Sequence, residues 1–205
     1  MTPEDLHDRL IADWRQAAGP MPRVTATEIA ERAAPEQASR VAVLAELEDL
    51  RLSFTELHGL LDDQAADVRA TSRWTARDVV AHLASWAMET RREAETLLAG
   101  GAFDYSIHFE REGGPRAWNQ QEVDARARRT PAELFDELDR ETIRTMDLML
   151  EASEEVFGAV ATLPRTSGDP AEPWRMPLGA MVLMSCWHAR LHLRALEELL
   201  RKPRV

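Results

Sequence analysis

Two histidines, one helical turn apart, lie on what the sequence predicts to be the inner face of the last long helix. His188 and His192 belong to a stripe with alternating spacings of three and four, which also contains Leu178, Met181, Ser185, Ala195 and Leu199. This spacing places the positions on one side of a helix and predicts that the side is buried. Buried imidazoles need polar partners, because an unpaired polar group in a core costs about 1–3 kcal/mol. A divalent metal held by both rings is one way to supply them, with a third ligand from elsewhere in the chain.

His82 is the natural candidate for that third ligand, because it lies on the apolar face of another predicted helix. The face consists of Val79, Leu83, Trp86, Thr90, Ala94 and Leu97. Three neutral imidazoles leave at least one position on a metal open for water or substrate, as in reactive rather than purely structural sites. Glu89 follows on the same face and is either a partner or general base of this site, or a solvent-facing charge. The rival interpretation is a hydrogen-bonded histidine trio in the core, satisfied by Ser185, Thr142 or water.

The composition disfavours several classes of protein. The net charge is −11 and the pI about 5.1, which repels a phosphate backbone, so we expect no nucleic-acid partner. Arg126, Arg128 and Arg129 have acidic neighbours and are interpreted as a solvated helix end. Cys186 is the only cysteine, which excludes an intrachain disulfide, and its angular separation from His188 makes it a poor ligand. The sequence contains no signal peptide and no apolar run of about 18 residues, so we expect a cytoplasmic protein with no membrane partner.

Four predicted long helices must position these side chains. The first spans about Ser39 to Asp63, with Leu47, Leu50, Phe54, Leu57 and Leu61 as its buried stripe and His58 as a boundary residue. The second begins at Thr75, whose pairing with Asp78 is a variant of the capping box, and a glycine pair ends it.

Within the third helical region, a capping box from Thr130 to Glu133 marks a new helix start, and the apolar stripe continues to Val156. Pro177 opens the fourth helix. These elements predict an all-α four-helix bundle over residues 39–205. Residues 1–38 precede every core stripe, and we predict that they form an N-terminal helical appendage.

Several segments resemble the DinB/YfiT-like superfamily. The segment from Trp74 to Trp86 resembles the start of its second helix, and Trp118-Asn119-Gln120 resembles the opening of its third. His188-Ala-Arg-Leu-His192 resembles the HxxxH motif on its fourth helix. The resemblance covers about Ser39 to Leu200 and extends to the N-terminal domain type of mycothiol-dependent maleylpyruvate isomerase.

The resemblance implies a divalent metal, most often Zn or Ni, held by His82, His188 and His192, and often a homodimer. It points to an enzyme that activates a low-molecular-weight thiol, as in mycothiol-type S-transfer or isomerisation, or activates water for hydrolysis. The expected partner is a small-molecule thiol or electrophilic substrate, with Glu89 as the candidate catalytic residue. The alternative is a non-catalytic, stress-related or ligand-binding bundle with a structural histidine cluster. The sequence carries no motif that identifies the substrate.

Overall fold

The computed structural model describes residues 39–101, 114–158, 160–163 and 174–201. In chain order its elements are α1 (Arg40–His58), α2 (Asp63–Ala66), α3 (Ala76–Leu98), α4 (Gly114–Ala125), α5 (Pro131–Glu151), α6 (Glu154–Phe157), β1 (Val160–Leu163), β2 (Trp174–Pro177) and α7 (Leu178–Leu200). The predicted appendage, residues 1–38, lies outside the described residues and stays a prediction.

The four long helices α1, α3, α5 and α7 form a bundle around one apolar core. Helix α3 packs against α5 and α7, and α1 closes the ring by packing against the same two helices. The long helices α1 and α3, which are consecutive in the chain apart from the short α2, therefore lie diagonally opposite each other in the bundle. The connection between them crosses one end of the bundle. The predicted all-α four-helix bundle is confirmed.

Local sequence determines where the helices begin. The Thr75 hydroxyl accepts a hydrogen bond from the Asp78 amide, and the Asp78 carboxylate accepts one from the Thr75 amide, which forms the predicted capping box. Thr130 and Glu133 form the second predicted box, with Pro131 as the first helical residue of α5. Both boxes satisfy backbone amides that a helix N-terminus otherwise leaves without partners.

Two helices are shorter than predicted. The stripe from Leu47 to Leu61 is buried as expected, but α1 ends at His58 because Gly59 caps it and Asp62 then starts α2. Helix α5 ends at Glu151, and the Ser153 hydroxyl caps α6. In both cases a residue with a strong capping preference stops an apolar pattern that continues beyond it.

A short antiparallel sheet lies immediately before the last helix. Strands β1 and β2 pair in a register that joins Val160 to Pro177 and Leu163 to Trp174. Pro177 is the last residue of β2 and immediately precedes α7, so the pairing of the two strands fixes the position at which this helix begins. Among the described helices, none is both long and apolar enough to cross a bilayer.

Candidate metal centre

Three histidines from two helices converge at one side of the bundle. The Nε2 atom of His188 lies 3.3 Å from Nε2 of His82 and 3.1 Å from Nε2 of His192. The three candidate ligand nitrogens all lie within 4.8 Å of one another. The structure therefore brings together the three residues that the spacing on α3 and α7 singled out.

The separations between the nitrogens fit a common ion. Nitrogen ligands at about 2.0–2.1 Å from a tetrahedral metal lie about 3.3–3.4 Å apart. The imidazole rings are close to perpendicular, with interplanar angles of 85° for His82 and His188 and 82° for His188 and His192. Three neutral imidazoles at these separations form a suitable donor set for a divalent transition metal.

The histidines lie at the edge of the core and not in its centre. His82 is buried, with 3% of its surface exposed, whereas His188 and His192 are half-buried. The most buried face of α7 includes a stripe one position later along the helix, formed by Val182, Cys186, Ala189, Leu193 and Leu196. The predicted burial of the histidine stripe is therefore correct for Leu178 and Met181 but wrong for the two histidines, because α7 turns the neighbouring stripe into the core between α1 and α3. This rotation leaves the histidine cluster partly open to solvent.

Two tryptophans line the cluster, Trp86 of α3 and Trp74 immediately before the N-cap residue of this helix. The ring of Trp74 packs on His82 with 4.8 Å between centroids and an angle of 39°. Trp86 meets His188 nearly at a right angle, with 5.7 Å between centroids. Trp74 precedes the N-cap residue of α3 and Trp86 lies one turn after His82, so the same segment of the chain places both rings beside His82.

Helix α4 contributes polar contacts that the sequence analysis did not predict. The indole N–H of Trp86 donates to Oδ1 of Asn119 at 3.1 Å, and that of Trp74 donates to Oε1 of Gln120 at 3.0 Å. Trp118 packs against Trp86 with 5.0 Å between centroids. The signal available in the sequence was the run Trp118-Asn119-Gln120, which supported only the family resemblance.

A small cavity lies beside His188 on the side facing the core. Its volume is about 30 Å³, and its lining includes Trp86, Thr90, Ser185 and Cys186. A space of this size has room for about one or two water molecules. Burial raises the pKa of the Cys186 thiol to about 12, so it is protonated near neutral pH and is not a ready metal ligand.

Glu89 is buried, with 1% of its surface exposed, and its carboxylate lies 3.4 Å from Nη1 of Arg92. It follows His82 by seven residues, which corresponds to about 10 Å along the helix axis. The predicted solvent-facing alternative is therefore wrong, whereas a catalytic role stays a prediction. The hydroxyls of the rival interpretation bond elsewhere, Ser185 to Thr90 and Thr142 to the Leu138 carbonyl.

The sequence of the bundle matches a known family. A model of the DinB superfamily matches residues 46–196. This chain belongs to the DinB superfamily. The match contains all three histidines and the four long helices of the bundle, apart from the first residues of α1 and the last of α7. None of the curated proteins compared has a matching sequence.

Two solved structures share the fold of this DinB-superfamily chain. One is YfiT from Bacillus subtilis, described as a probable metal-dependent hydrolase with an unusual four-helix bundle topology. It has a TM-score of 0.59 and 18% identity, over 78% of this chain and 85% of that one. The other is the mycothiol-dependent maleylpyruvate isomerase, with a TM-score of 0.60 and 15% identity over 77% of this chain. The match spans 60% of the isomerase.

Proposed function

We propose that the protein is a metal-dependent enzyme acting on a small molecule, with a divalent metal held by His82, His188 and His192. The observation that carries the proposal is the convergence of three imidazole nitrogens at a partly open edge of the bundle. Zn and Ni are the metals we favour. Both are well suited to imidazole ligands. The description of YfiT as a probable metal-dependent hydrolase supports the same conclusion.

His82, His188 and His192 would hold the metal, which would supply Lewis-acid chemistry able to lower the pKa of a thiol or of water. The chain's own residues would orient the reactants. The half-buried rings of Trp74 and Trp86 form an aromatic wall beside the imidazoles, which limits access of bulk water and offers apolar surface to a substrate. The reaction would be S-transfer or isomerisation if the activated group were a low-molecular-weight thiol, and hydrolysis if it were water.

The first experiment measures metal content. Protein expressed with Zn, Ni, Mn and Fe available, and purified without an affinity tag or chelator, should contain about one metal ion per chain. His188→Ala and His192→Ala should lose the metal and retain their helical circular dichroism, because the apolar core holds the helices together. His58→Ala is the matched control, since His58 stacks on Phe135 outside the cluster and should retain the metal. Acid should release the metal from the wild type, because protonated imidazole cannot ligate.

A non-catalytic bundle with a histidine trio remains the second candidate. The observation in its favour is that nitrogen separations of 3.1 and 3.3 Å also lie near the range of hydrogen bonds between imidazoles. Wild-type protein without stoichiometric metal would support this candidate and would overturn the enzyme proposal.

The second experiment distinguishes thiol from water as the activated group. The metal-loaded protein is assayed with a chromogenic electrophile and with a chromogenic ester, each with and without added mycothiol. Turnover of the electrophile that requires the thiol supports the transferase or isomerase alternative, in line with the thiol dependence of the structurally similar isomerase. Ester cleavage independent of the thiol supports the hydrolase alternative.

We propose Glu89 as a general base because it is a buried carboxylate on the helix that carries His82. Glu89→Gln should retain the metal and lose about 10²-fold or more in turnover, as expected for the loss of general acid–base catalysis. Glu93→Gln makes the same chemical change at a fully buried position one turn later and is the matched control. Equal losses in both variants would assign Glu89 a structural role.

A further inference from the structure

We propose that the middle of α4 positions the metal ligands, because Asn119 and Gln120 hold Trp86 and Trp74 against the imidazoles of His188 and His82. We call Trp118, Asn119 and Gln120 the brace. The inference rests on the proposed function, since it assigns these residues a role toward a metal held by the histidines.

The brace makes two equivalent contacts. In each, an indole N–H donates to a side-chain amide oxygen, at 3.1 Å from Trp86 to Asn119 and at 3.0 Å from Trp74 to Gln120. The two tryptophans flank His82 along the chain, whereas their acceptors are consecutive residues of α4. One short segment therefore fixes the aromatic rings on both sides of this ligand.

The orientation of one acceptor is itself determined by a further contact. The Gln120 amide nitrogen donates to Oδ1 of Asp124 at 2.8 Å, one turn along α4. This bond directs the amide oxygen of Gln120 toward Trp74, because an amide that donates on one side accepts on the other. Trp118 is 5% exposed and packs against Trp86. The Trp86 ring is therefore restrained by this packing as well as by its hydrogen bond to Asn119.

A buried ion pair fastens the C-terminal end of α4. Arg126 immediately follows this helix, and its guanidinium bonds to both carboxylate oxygens of Glu137 on α5. It also bonds to the carboxylate of Glu122 at 2.8 Å. The brace is thus part of a helix tied to α3 through the indole contacts and to α5 through the guanidinium.

Restrained tryptophans restrain the imidazoles that they touch. A metal site binds tightly when its ligands already have the required orientation, and loss of an orienting partner lowers metal affinity. Removing one neutral hydrogen bond from the brace should weaken metal binding by about fivefold, within the range typical of such bonds.

The test titrates Co²⁺ into metal-free, full-length protein and follows the visible absorption bands, whose position and intensity depend on ligand geometry. Asn119→Leu and Gln120→Leu should weaken Co²⁺ binding by about fivefold each and should alter the bands. Asn119→Asp keeps an acceptor for the Trp86 indole and should restore the affinity to within about twofold of the wild type. Gln121→Leu makes a matched change at an exposed position of α4 and should bind like the wild type.

Wild-type affinity and spectrum in Asn119→Leu and Gln120→Leu would overturn the inference, as would an equal loss in Asn119→Asp. If Asn119→Leu does not fold, Trp86→Phe removes the same hydrogen bond from its donor side and takes its place. If the wild type binds no Co²⁺, the proposed function fails separately. The brace is then judged from nitrogen NMR spectra of the metal-free protein, where Asn119→Leu should shift the Trp86 indole and His188 imidazole signals. Unchanged His188 signals would overturn it.

Discussion

At the scale of single residues, the half-buried position of His188 and His192 decides what the histidine cluster can do. Fully buried imidazoles would have no access to a substrate, and fully exposed ones would have no fixed orientation. These rings have part of their surface in solvent and part against Trp86 and His82. This position suits a metal ligand that has to be both held and accessible.

Cys186 should be unreactive in the folded protein. It is 1% exposed, and burial raises the pKa of its thiol to about 12, so the reactive thiolate is scarce at pH 8. We expect slow labelling by a disulfide reagent in buffer and rapid stoichiometric labelling in denaturant. Fast labelling of the native protein would show that the thiol does not lie in the core.

Glu133 should make stability depend on pH. Hydrogen bonds from the Thr130 amide and then from the Thr130 hydroxyl hold the pKa of Glu133 below its ordinary value. The contribution of Glu133 to the free energy of unfolding is therefore fully present at pH values above its pKa in the unfolded state, about 4.3. It is lost as the pH falls through the lower pKa of the folded state.

The expected result is that Glu133→Gln lowers the free energy of unfolding at pH 7, and that the difference from the wild type disappears in acid. The measurement is chemical denaturation at a series of pH values. Glu198→Gln, at an exposed position of α7, controls for removing one negative charge from an acidic protein. A difference that persists unchanged below pH 3 would contradict the capping role.

At the scale of elements, polar contacts help to place α4 against the bundle. Its Arg126 was expected at a solvated helix end, and that interpretation was wrong, because the side chain is buried against Glu137. Burial acts to lower the pKa of Arg126, but the hydrogen bonds to Glu137 and Glu122 outweigh it and raise this pKa above its ordinary value. Arg129 also pairs with Glu137 and, unlike Arg126, is exposed.

Replacing Arg126 should destabilise the bundle. Arg126→Met leaves the buried Glu137 carboxylate with Arg129 as its remaining described cation, and breaking a buried pair from one side typically costs about 3 kcal/mol. Arg128→Met, two residues later and exposed, should change the free energy of unfolding by less than about 0.5 kcal/mol. Denaturant titration measures both, and equal effects would contradict the structural role of the buried pair.

At the scale of the whole molecule, the boundary between the predicted N-terminal appendage and the bundle is a prediction that can be tested. Buried apolar residues of the bundle run from Val43 to Leu196. We predict that protein lacking residues 1–38 keeps its helical circular dichroism and melts cooperatively. A longer deletion through residue 50 removes Val43, Leu47 and Leu50 from the core and should abolish cooperative melting. Loss of folding in the shorter deletion would disprove the proposed domain boundary.

The predicted homodimer also belongs to this scale. Its basis is the family resemblance together with the apolar and tryptophan residues of the N-terminal segment, such as Leu6, Leu10 and Trp14. Light scattering at micromolar concentration should give twice the 23.1 kDa of one chain. A monomer mass would remove the prediction, and a monomer only after deletion of residues 1–38 would place the interface in that segment.

The sequence by itself determined features that depend on neighbouring residues. The capping boxes at Thr75 and Thr130 join groups three residues apart, so their pattern is visible without knowledge of the fold. The apolar stripes predicted the four-helix bundle for the same reason. The pairing of His188 with His192 follows from the helical repeat, and resemblance supported His82 as the third member.

The tertiary structure alone decided how these elements face one another. The rotation that leaves His188 at the core edge depends on how α7 packs against α1 and α3, and a shift of one position along the helix changes it. The bonds from Trp86 to Asn119 and from Trp74 to Gln120 join residues 33 and 46 positions apart. The burial of Arg126 likewise requires Glu137 on another helix. Such contacts form only when helices approach each other in space, and helical periodicity specifies a face without specifying the neighbour that will cover it.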